Sequence, residues 1–430
     1  MSFSLSQNKI GSIIASYKWI FAIFILRLLL DISYISYIHP VYSHAGFDLL
    51  FDPFMYALSF LAVFVLFYMI PLQPTKVSDI IVQFFFITIF IPFTSYFSLS
   101  GESFTWFLIF CFFWFFVAAI NRIDFGWKAL KPEKSISELD FRNRVHKAVL
   151  IVFGLIFIFS DLKFNFNIMD VYELREENPT GSVPFSGYII NWTSKVLLPF
   201  LLAFAVVKNK NYLNPSSLYI LCLILLLFSV TGHKGYLFVA PAIFGTIWLL
   251  STKNFFFNLL LVFIAICGVG LLLFYLFDNK LILTLFIRRT LFIPAQLSFY
   301  YYDFFQDNPI YLSNSVFRYF FDYPYELEPP YLIAQHYFNK PEMSSNNGII
   351  ADGFMHFGMV GVFIWAMLFS FLLKVLNVIT INKNKLILWS LILISSRVFS
   401  DGSFFTGLLT HGFLLLILIV YFYPVSKANK

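Results

Sequence analysis

Twelve apolar runs of thirteen to twenty-five residues divide this chain: Trp19–Ile38, Pro53–Pro71, Ile80–Tyr96, Phe104–Ile120, Ala148–Ser160, Tyr188–Val207, Ser217–Val230, Tyr236–Leu250, Phe255–Phe277, Ile349–Leu373, Leu386–Ser400 and Phe404–Tyr423. A helix needs about 20 apolar residues to cross a bilayer, so twelve spans use about 240 residues and leave about 190 for connections. Charged residues make up only 12% of the 430, about half of what a soluble domain carries. Sixty Phe could not all hide in aqueous cores, because surface grows with every added domain. The pattern predicts an all-α polytopic membrane protein of about twelve transmembrane helices. Residues 1–277 hold nine of them with short loops, residues 278–348 form one long loop, and residues 349–430 hold the last three.

Lys9 and Lys18 precede the first run, and no small-residue cleavage site follows a short apolar core, so that run reads as a retained span. Cys111, Cys222 and Cys267 all fall inside apolar runs with no CxxC pair, and packing is the role this suggests. Charge then sets orientation. With both termini cytoplasmic, the inner segments hold 18 Lys and Arg against 5 acids, and the outer segments hold 8 against 17. The inner loop Asn121–Lys147 alone has seven basic residues. This obeys the positive-inside rule, so the net charge of +6 describes topology and gives no reason to invoke nucleic acid.

The longest inner loop has 27 residues, too few for a nucleotide-binding domain. The chain has no P-loop, no GxGxxG turn after a strand and no Asp-x-Asp pair. Any enzyme here must take an activated substrate from the membrane or from the outer side. The seven histidines include no HExxH and no clustered ligands, so neither a metal nor another cofactor is expected.

The outer side has suitable material. The Asp278–Gly348 loop holds Arg288, Arg289 and Arg318, with nine Tyr and nine Phe. Arginine stays charged and presents a planar fork suited to phosphate oxygens. These residues could form a diphosphate clamp, or they could pair with the loop's own acids, Asp303, Asp307, Asp322, Glu326 and Glu328. The aromatic residues could stack on sugar rings or lie in the headgroup region. Thr231-Gly232-His233-Lys234-Gly235 forms an outer turn in which Lys234 and His233 could meet phosphate. Asp352 and His356, four residues apart at the mouth of the tenth run, share one helix face. They could activate an acceptor hydroxyl or pair with each other, with Gly358 and Gly361 as packing glycines. Asn347 precedes them, and His336 is a further candidate base in the loop. Arg27 and Asp31 are spaced to neutralise one another inside the first run. Lys195 and Arg397 could snorkel outward or face an anionic headgroup. Arg175 lies in an acidic outer loop where substrate contact and a solvated surface stay open.

The order of these features resembles the Wzy-type O-antigen or capsular polysaccharide polymerases. The resemblance rests on Thr231-Gly232-His233-Lys234-Gly235 between two short spans, on Arg288-Arg289 with Pro294, on the run Asn347…Asp352…Phe357-Gly358…Gly361, and on the last hairpin from Asp401-Gly402-Ser403 to Thr410-His411-Gly412. It covers mainly the C-terminal half. It implies a membrane glycosyltransferase of GT-C-like architecture in the bacterial inner membrane, working at the periplasmic face. The implied reaction is a metal-independent inverting transfer of a growing glycan from undecaprenyl diphosphate to a second lipid-linked repeat unit. Membrane lipids and a polysaccharide chain-length regulator are the further partners implied. Family members carry Arg-rich outer-loop repeats with a spaced glycine, which Arg175 and Gly187 only approximate. O-antigen ligases share the architecture but have a His-Asn step near the end of the long loop, where this chain has Asn346-Asn347. A flippase or transporter would explain the spans and the Arg27–Asp31 pair, but not a 71-residue outer loop with clustered arginines.

Overall fold

The computed structural model describes residues 2–133, 136–159, 185–315 and 317–425, with side chains from Tyr17 onward except at Phe159. Helices and short turns make up the described residues, with no strand among them. Six helical segments are long and apolar enough to cross a membrane: α1 (Tyr17–Ala45), α3 (Val77–Ser100), α4 (Phe104–Arg122), α6 (Ser186–Asn209), α9 (Phe255–Phe277) and α12 (Ile349–Thr380). Shorter apolar helices lie between them: α2 (Pro53–Met69), α7 (Pro215–Thr231), α8 (Lys234–Leu250) and α14 (Phe413–Phe422). The remaining helices are α5 (Glu138–Phe159), α10 (residues 283–305), α11 (Pro329–Phe338) and α13 (Lys385–Ser396), with two short turns of helix, Val398–Asp401 and Phe404–Leu408, between α13 and α14. By length and composition this is an all-helical multi-pass membrane protein. α9 is apolar on every face, and it leaves Leu261, Val269, Leu272 and Leu276 exposed, a surface that lipid rather than water would cover.

α1, α2, α3, α9 and α10 pack against one another, and α12 lies against α4 and α10. A second group joins α6 to α5, α7, α8 and α13. One end of the bundle gathers residues 39–52, 101–103, 306–315, 317–348 and 397–412, and is called the loop-rich end. The other gathers 70–76, 123–133, 251–254 and 381–384, and is called the lysine-rich end.

Four helices widen by one residue per turn just ahead of a proline. These stretches are Tyr34–Ile38 before Pro40, Phe86–Phe90 before Pro92, Thr193–Leu197 before Pro199, and Leu283–Phe292 before Pro294. Proline has no N–H to give, and its ring pushes against the carbonyl four residues back. In each case the residue just before the proline instead donates its N–H to the carbonyl five residues back: His39 to Tyr34, Ile91 to Phe86, Leu198 to Thr193 and Ile293 to Arg288. Such π-type turns keep the helix going at the cost of skipping one carbonyl. At Lys195 the skipped oxygen accepts from Ser395 Oγ on α13 (3.2 Å), as burial requires.

Inside the bundle, Arg27 meets Asp31 as the i, i+4 spacing predicts, with Nε to Oδ1 at 2.9 Å. Its other nitrogens donate to Thr94 Oγ1 (3.2 Å), Ser59 Oγ (3.1 Å) and Ser98 Oγ (2.7 Å). Tyr56 OH and Ser95 Oγ donate to Asp31. One ion pair therefore ties α1 to α2 and α3, and its polar demand is met within the protein.

Two expected features are revised. The tenth run is not one straight span. α12 breaks at Phe357 (φ −140°, ψ 21°) and Gly358 (φ 58°, ψ −141°), and residues 349–356 fold back on the rest. Gly358 is there for its backbone angle, open only to glycine, and a Cβ on it would meet nothing within 4 Å. Gly361 is the packing glycine, since a Cβ there would stand 1.8 Å from the Gly353 carbonyl oxygen. Second, the 278–348 segment is not one connection outside the bundle. Its first part is α10, which packs on α3, α9 and α12, with Leu283, Ile287, Leu291 and Phe292 buried.

Gly361→Ala should therefore lower the melting temperature of the detergent-solubilised protein most, by several degrees or outright loss of folded material, at an overpacking cost of about 1–3 kcal/mol or more. Gly358→Ala should cost less, from backbone strain alone, and Gly245→Ala, in open space, should leave the melt unchanged or raised.

Candidate functional site

The widened start of α10 brings Arg288 to the loop-rich end. Its guanidinium lies 3.9 Å from the ring centre of Tyr42 on α1, a close cation–π contact. Beside it, the Tyr37 hydroxyl and Thr284 Oγ1 are 2.6 Å apart. Arg288 Nε is buried without a hydrogen-bond partner. Arg289 is exposed, and so is Arg318, which donates to Tyr319 OH (2.8 Å) and lies over that ring. Among the described residues none of the three makes an ion pair with the acids of the 278–348 segment, so the self-neutralised alternative is not what the chain builds.

The same end holds a carboxylate that the sequence reading passed over. Glu102, in the turn between α3 and α4, accepts from Tyr96 OH at 3.0 Å. Burial raises its carboxyl to about 7, with the neighbouring charges of Asp303 and Asp48 pushing the same way and the Tyr96 hydrogen bond opposing them. Around it the 43–52 loop is pinned to α10. Gln296 Nε2 donates to Ala45 O (2.7 Å) and to Tyr300 OH (3.0 Å), and Tyr300 crowds Gly46 so closely that no Cβ would fit there. Tyr300 stacks on Tyr337 of α11 at 4.2 Å, and Tyr337 OH donates to Asp303 Oδ2 at 2.6 Å. His336 is exposed next to Tyr337, its ring edge-on to Phe304. An arginine with unused donor capacity and a carboxyl poised near neutrality thus flank one stretch, the end of α1 and the loop after it, residues 39–52. The stacked rings of Tyr300 and Tyr337 lie beside the carboxyl.

Asp352 and His356 do come together, with His356 Nε2 3.5 Å from Asp352 Oδ1. Both are sealed, however, at 1% and 2% exposure. Asp352 Oδ2 accepts from Trp365 Nε1 (2.8 Å) and from the Phe404 N–H (2.9 Å). His356 Nδ1 accepts from the Leu312 N–H (3.2 Å). The carbonyls of Met355 and His356 at the helix break take the Ile310 and Tyr311 N–H groups. The pair clamps the break in α12 to the 310–312 turn and the 401–408 segment. Of the two roles that the spacing left open, a base for an acceptor or a mutual pair, the contacts seen are those of a pair. Asn347 is buried as well, accepting from Ser403 Oγ at 3.2 Å.

Lys195, in another widened turn, reaches His411 with Nζ 2.6 Å from Nδ1. Arg397 and Asp401 form a loose pair at 4.0 Å close to the start of the same hairpin. His233 packs its ring on Tyr236, and Lys234 opens α8. Arg175 lies outside the described residues. Among the described residues no hydrogen bond, ion pair or ring contact joins Arg288, Arg318 and Asp352 into one constellation.

No family model matches the chain, and neither the curated proteins nor the solved structures give a significant match. The functional reading therefore stands on the residues themselves.

Glu102 makes a pH-dependent prediction. Its folded value is raised above the ordinary 4.5 to about 7, so the stability it contributes is complete below about pH 4.5 and is lost as pH rises through about 7. Relative to Glu102→Gln, which does not titrate, the wild type should lose on the order of 2 kcal/mol between pH 5 and pH 8. A melting-temperature difference that stays flat over that range would contradict the assignment.

Proposed function

We propose that this chain is a repeat-unit polymerase: a bacterial inner-membrane glycosyltransferase that joins oligosaccharides carried on undecaprenyl diphosphate into O-antigen or capsular polysaccharide. In this reading twelve spans place both termini and the lysine-rich end in the cytoplasm, and the loop-rich end faces the periplasm. The observation that carries the reading is Arg288, held by Tyr42 at the loop-rich end with a buried Nε that has no partner in the protein. A buried donor left unmade is costly, and a diphosphate oxygen would satisfy it. Diphosphate is also the activated leaving group available to an enzyme with no nucleotide site.

The chemistry needs few groups. The acceptor hydroxyl oxygen attacks the anomeric carbon of the donor glycan, and the bond from that carbon to the diphosphate oxygen breaks with inversion. The diphosphate leaves with the electron pair, and Arg288, with Arg289 and Arg318 nearer solvent, stabilises the growing charge electrostatically. Glu102, half ionised near pH 7, takes the acceptor proton, and a base so poised is worth about 10²–10⁴-fold. The stacked pair of Tyr300 and Tyr337 stands beside it. Lys195 with His411, and Lys234 with His233, are further points for headgroup contact. No metal is assigned a role.

The test is surface glycan on gels from cells in which the chromosomal copy is replaced by variants. Arg288→Ala should cut polymer yield by about 10²–10³-fold, the usual cost of one electrostatic donor, while capped single repeat units persist. Arg289→Ala should do less. A full wild-type ladder from Arg288→Ala would overturn the clamp. Loss of all capped material, single units included, would point instead to a ligase or a flippase.

A further inference from the structure

The lysine-rich end carries a cavity that the reaction described above does not use. It measures about 370 Å³, within the range of about 300–1,000 Å³ typical of small-ligand sites. Lys76, Lys374 and Lys385 line it together with Trp127, Trp389 and one acid, Asp124. Three lysines converging on one space repel each other unless an anion joins them. Among the described residues none of the three makes an ion pair.

Asp79 and Asp124 lie close enough to Lys374 to offset part of this charge, though both also hold neutral donors. Asp79 caps the start of α3, with Oδ2 accepting the N–H groups of Thr75 (2.8 Å) and Lys76 (3.0 Å) and Oδ1 accepting Asn121 Nδ2 (2.9 Å). Asp124 Oδ1 accepts the Gly126 N–H at 3.0 Å. Lys374 is fixed, because Nζ donates to the carbonyls of Asn121 (3.1 Å) and Ile123 (2.5 Å) at the C-terminal end of α4. An ammonium has three protons, so one stays available after those two bonds. Lys385 extends over the Trp389 ring at 4.9 Å. The rim is apolar and open: Trp127, Phe125 and Ile381 are each well exposed. A basic pocket with a tryptophan and aliphatic rim matches the boundary between headgroups and acyl chains, where Trp is enriched and the common anion is a phosphodiester.

We propose that this cavity binds phosphate, as the headgroup of an anionic phospholipid seated with its acyl chains along the exposed apolar rim. Lys374 provides a preset contact, and Lys76 and Lys385 close on the oxygens as charge-assisted donors. The site does not depend on the chemistry at the loop-rich end, and it would hold whatever that end does.

The test uses the full chain purified in a zwitterionic detergent. Thermal stabilisation is followed against added phosphatidylglycerol, phosphatidylcholine and inorganic phosphate, and bound lipid is counted by native mass spectrometry. Saturable stabilisation by phosphatidylglycerol but not phosphatidylcholine is expected, with about tenfold or greater loss of apparent affinity for each lysine removed in Lys76→Gln and Lys385→Gln. Lys374 is left intact because it closes α4. The pair Lys76→Arg and Lys385→Arg should keep binding, which separates lost charge from lost fold. Equal stabilisation by inorganic phosphate would support the site and assign free phosphate as its source. Equal effects of the two lipids with no effect of phosphate would overturn the proposal, as would unchanged phosphatidylglycerol binding in the double glutamine variant.

Discussion

Inside hydrocarbon a polar group has no water to fall back on, and this single requirement orders most of what the chain builds. Arg27 shows it at full strength. A guanidinium buried at 0% exposure is tolerable only because Asp31 balances its charge and Ser59, Thr94 and Ser98 take its remaining donors. Meeting that demand draws three helices to one point. The same requirement explains why lysines finish two other helices. Lys374 takes the terminal carbonyls of α4, and Lys383 takes those of Val420 and Tyr421 at the end of α14, placing positive charge where the helix dipoles are negative.

Among the described residues several buried polar atoms lack a hydrogen-bond partner within the protein, Arg288 Nε and Asp352 Oδ1 among them. Arg27 and Arg288 are both held against aromatic rings, yet the first has its donors satisfied and the second keeps a buried Nε without a partner. The widened turn ahead of Pro294 carries Arg288, and the one ahead of Pro199 carries Lys195. A helix one residue wider per turn re-aims side chains while keeping its backbone bonded, which is why π-type turns recur at functional sites. The prolines thus both shape the helices and place the cations.

Much of this was legible in the sequence. Apolar runs gave the helices because lipid leaves little choice of secondary structure, and the i, i+4 spacing of Arg27 and Asp31 predicted their pairing directly. The retained arginines in a segment rich in aromatics marked the loop-rich end. Other features depended on tertiary contact and were not readable. Asp352 and His356 looked like a pair at the mouth of a span, and only the fold-back at Phe357-Gly358 shows them sealed behind Trp365 and Phe404. Nothing in the sequence sets Glu102 apart from other acids in short turns. Its raised carboxyl arises from burial, with Asp48 and Asp303 near it, one 54 residues before it in sequence and the other about 200 after. A signal was present for the widened turns, since a proline inside an apolar run must disturb the helix four residues earlier, and Lys195 and Arg288 stand four and six residues ahead of such prolines.

The most direct test of the central claim is reconstitution of the purified chain in liposomes with undecaprenyl-diphosphate-linked repeat units, followed by gel and mass analysis of the glycan. A ladder of whole-number multiples of the repeat, with inverted linkages and free undecaprenyl diphosphate released once per bond, is the predicted result. Repeat units that stay single, or that only cross the bilayer unchanged, would contradict the account.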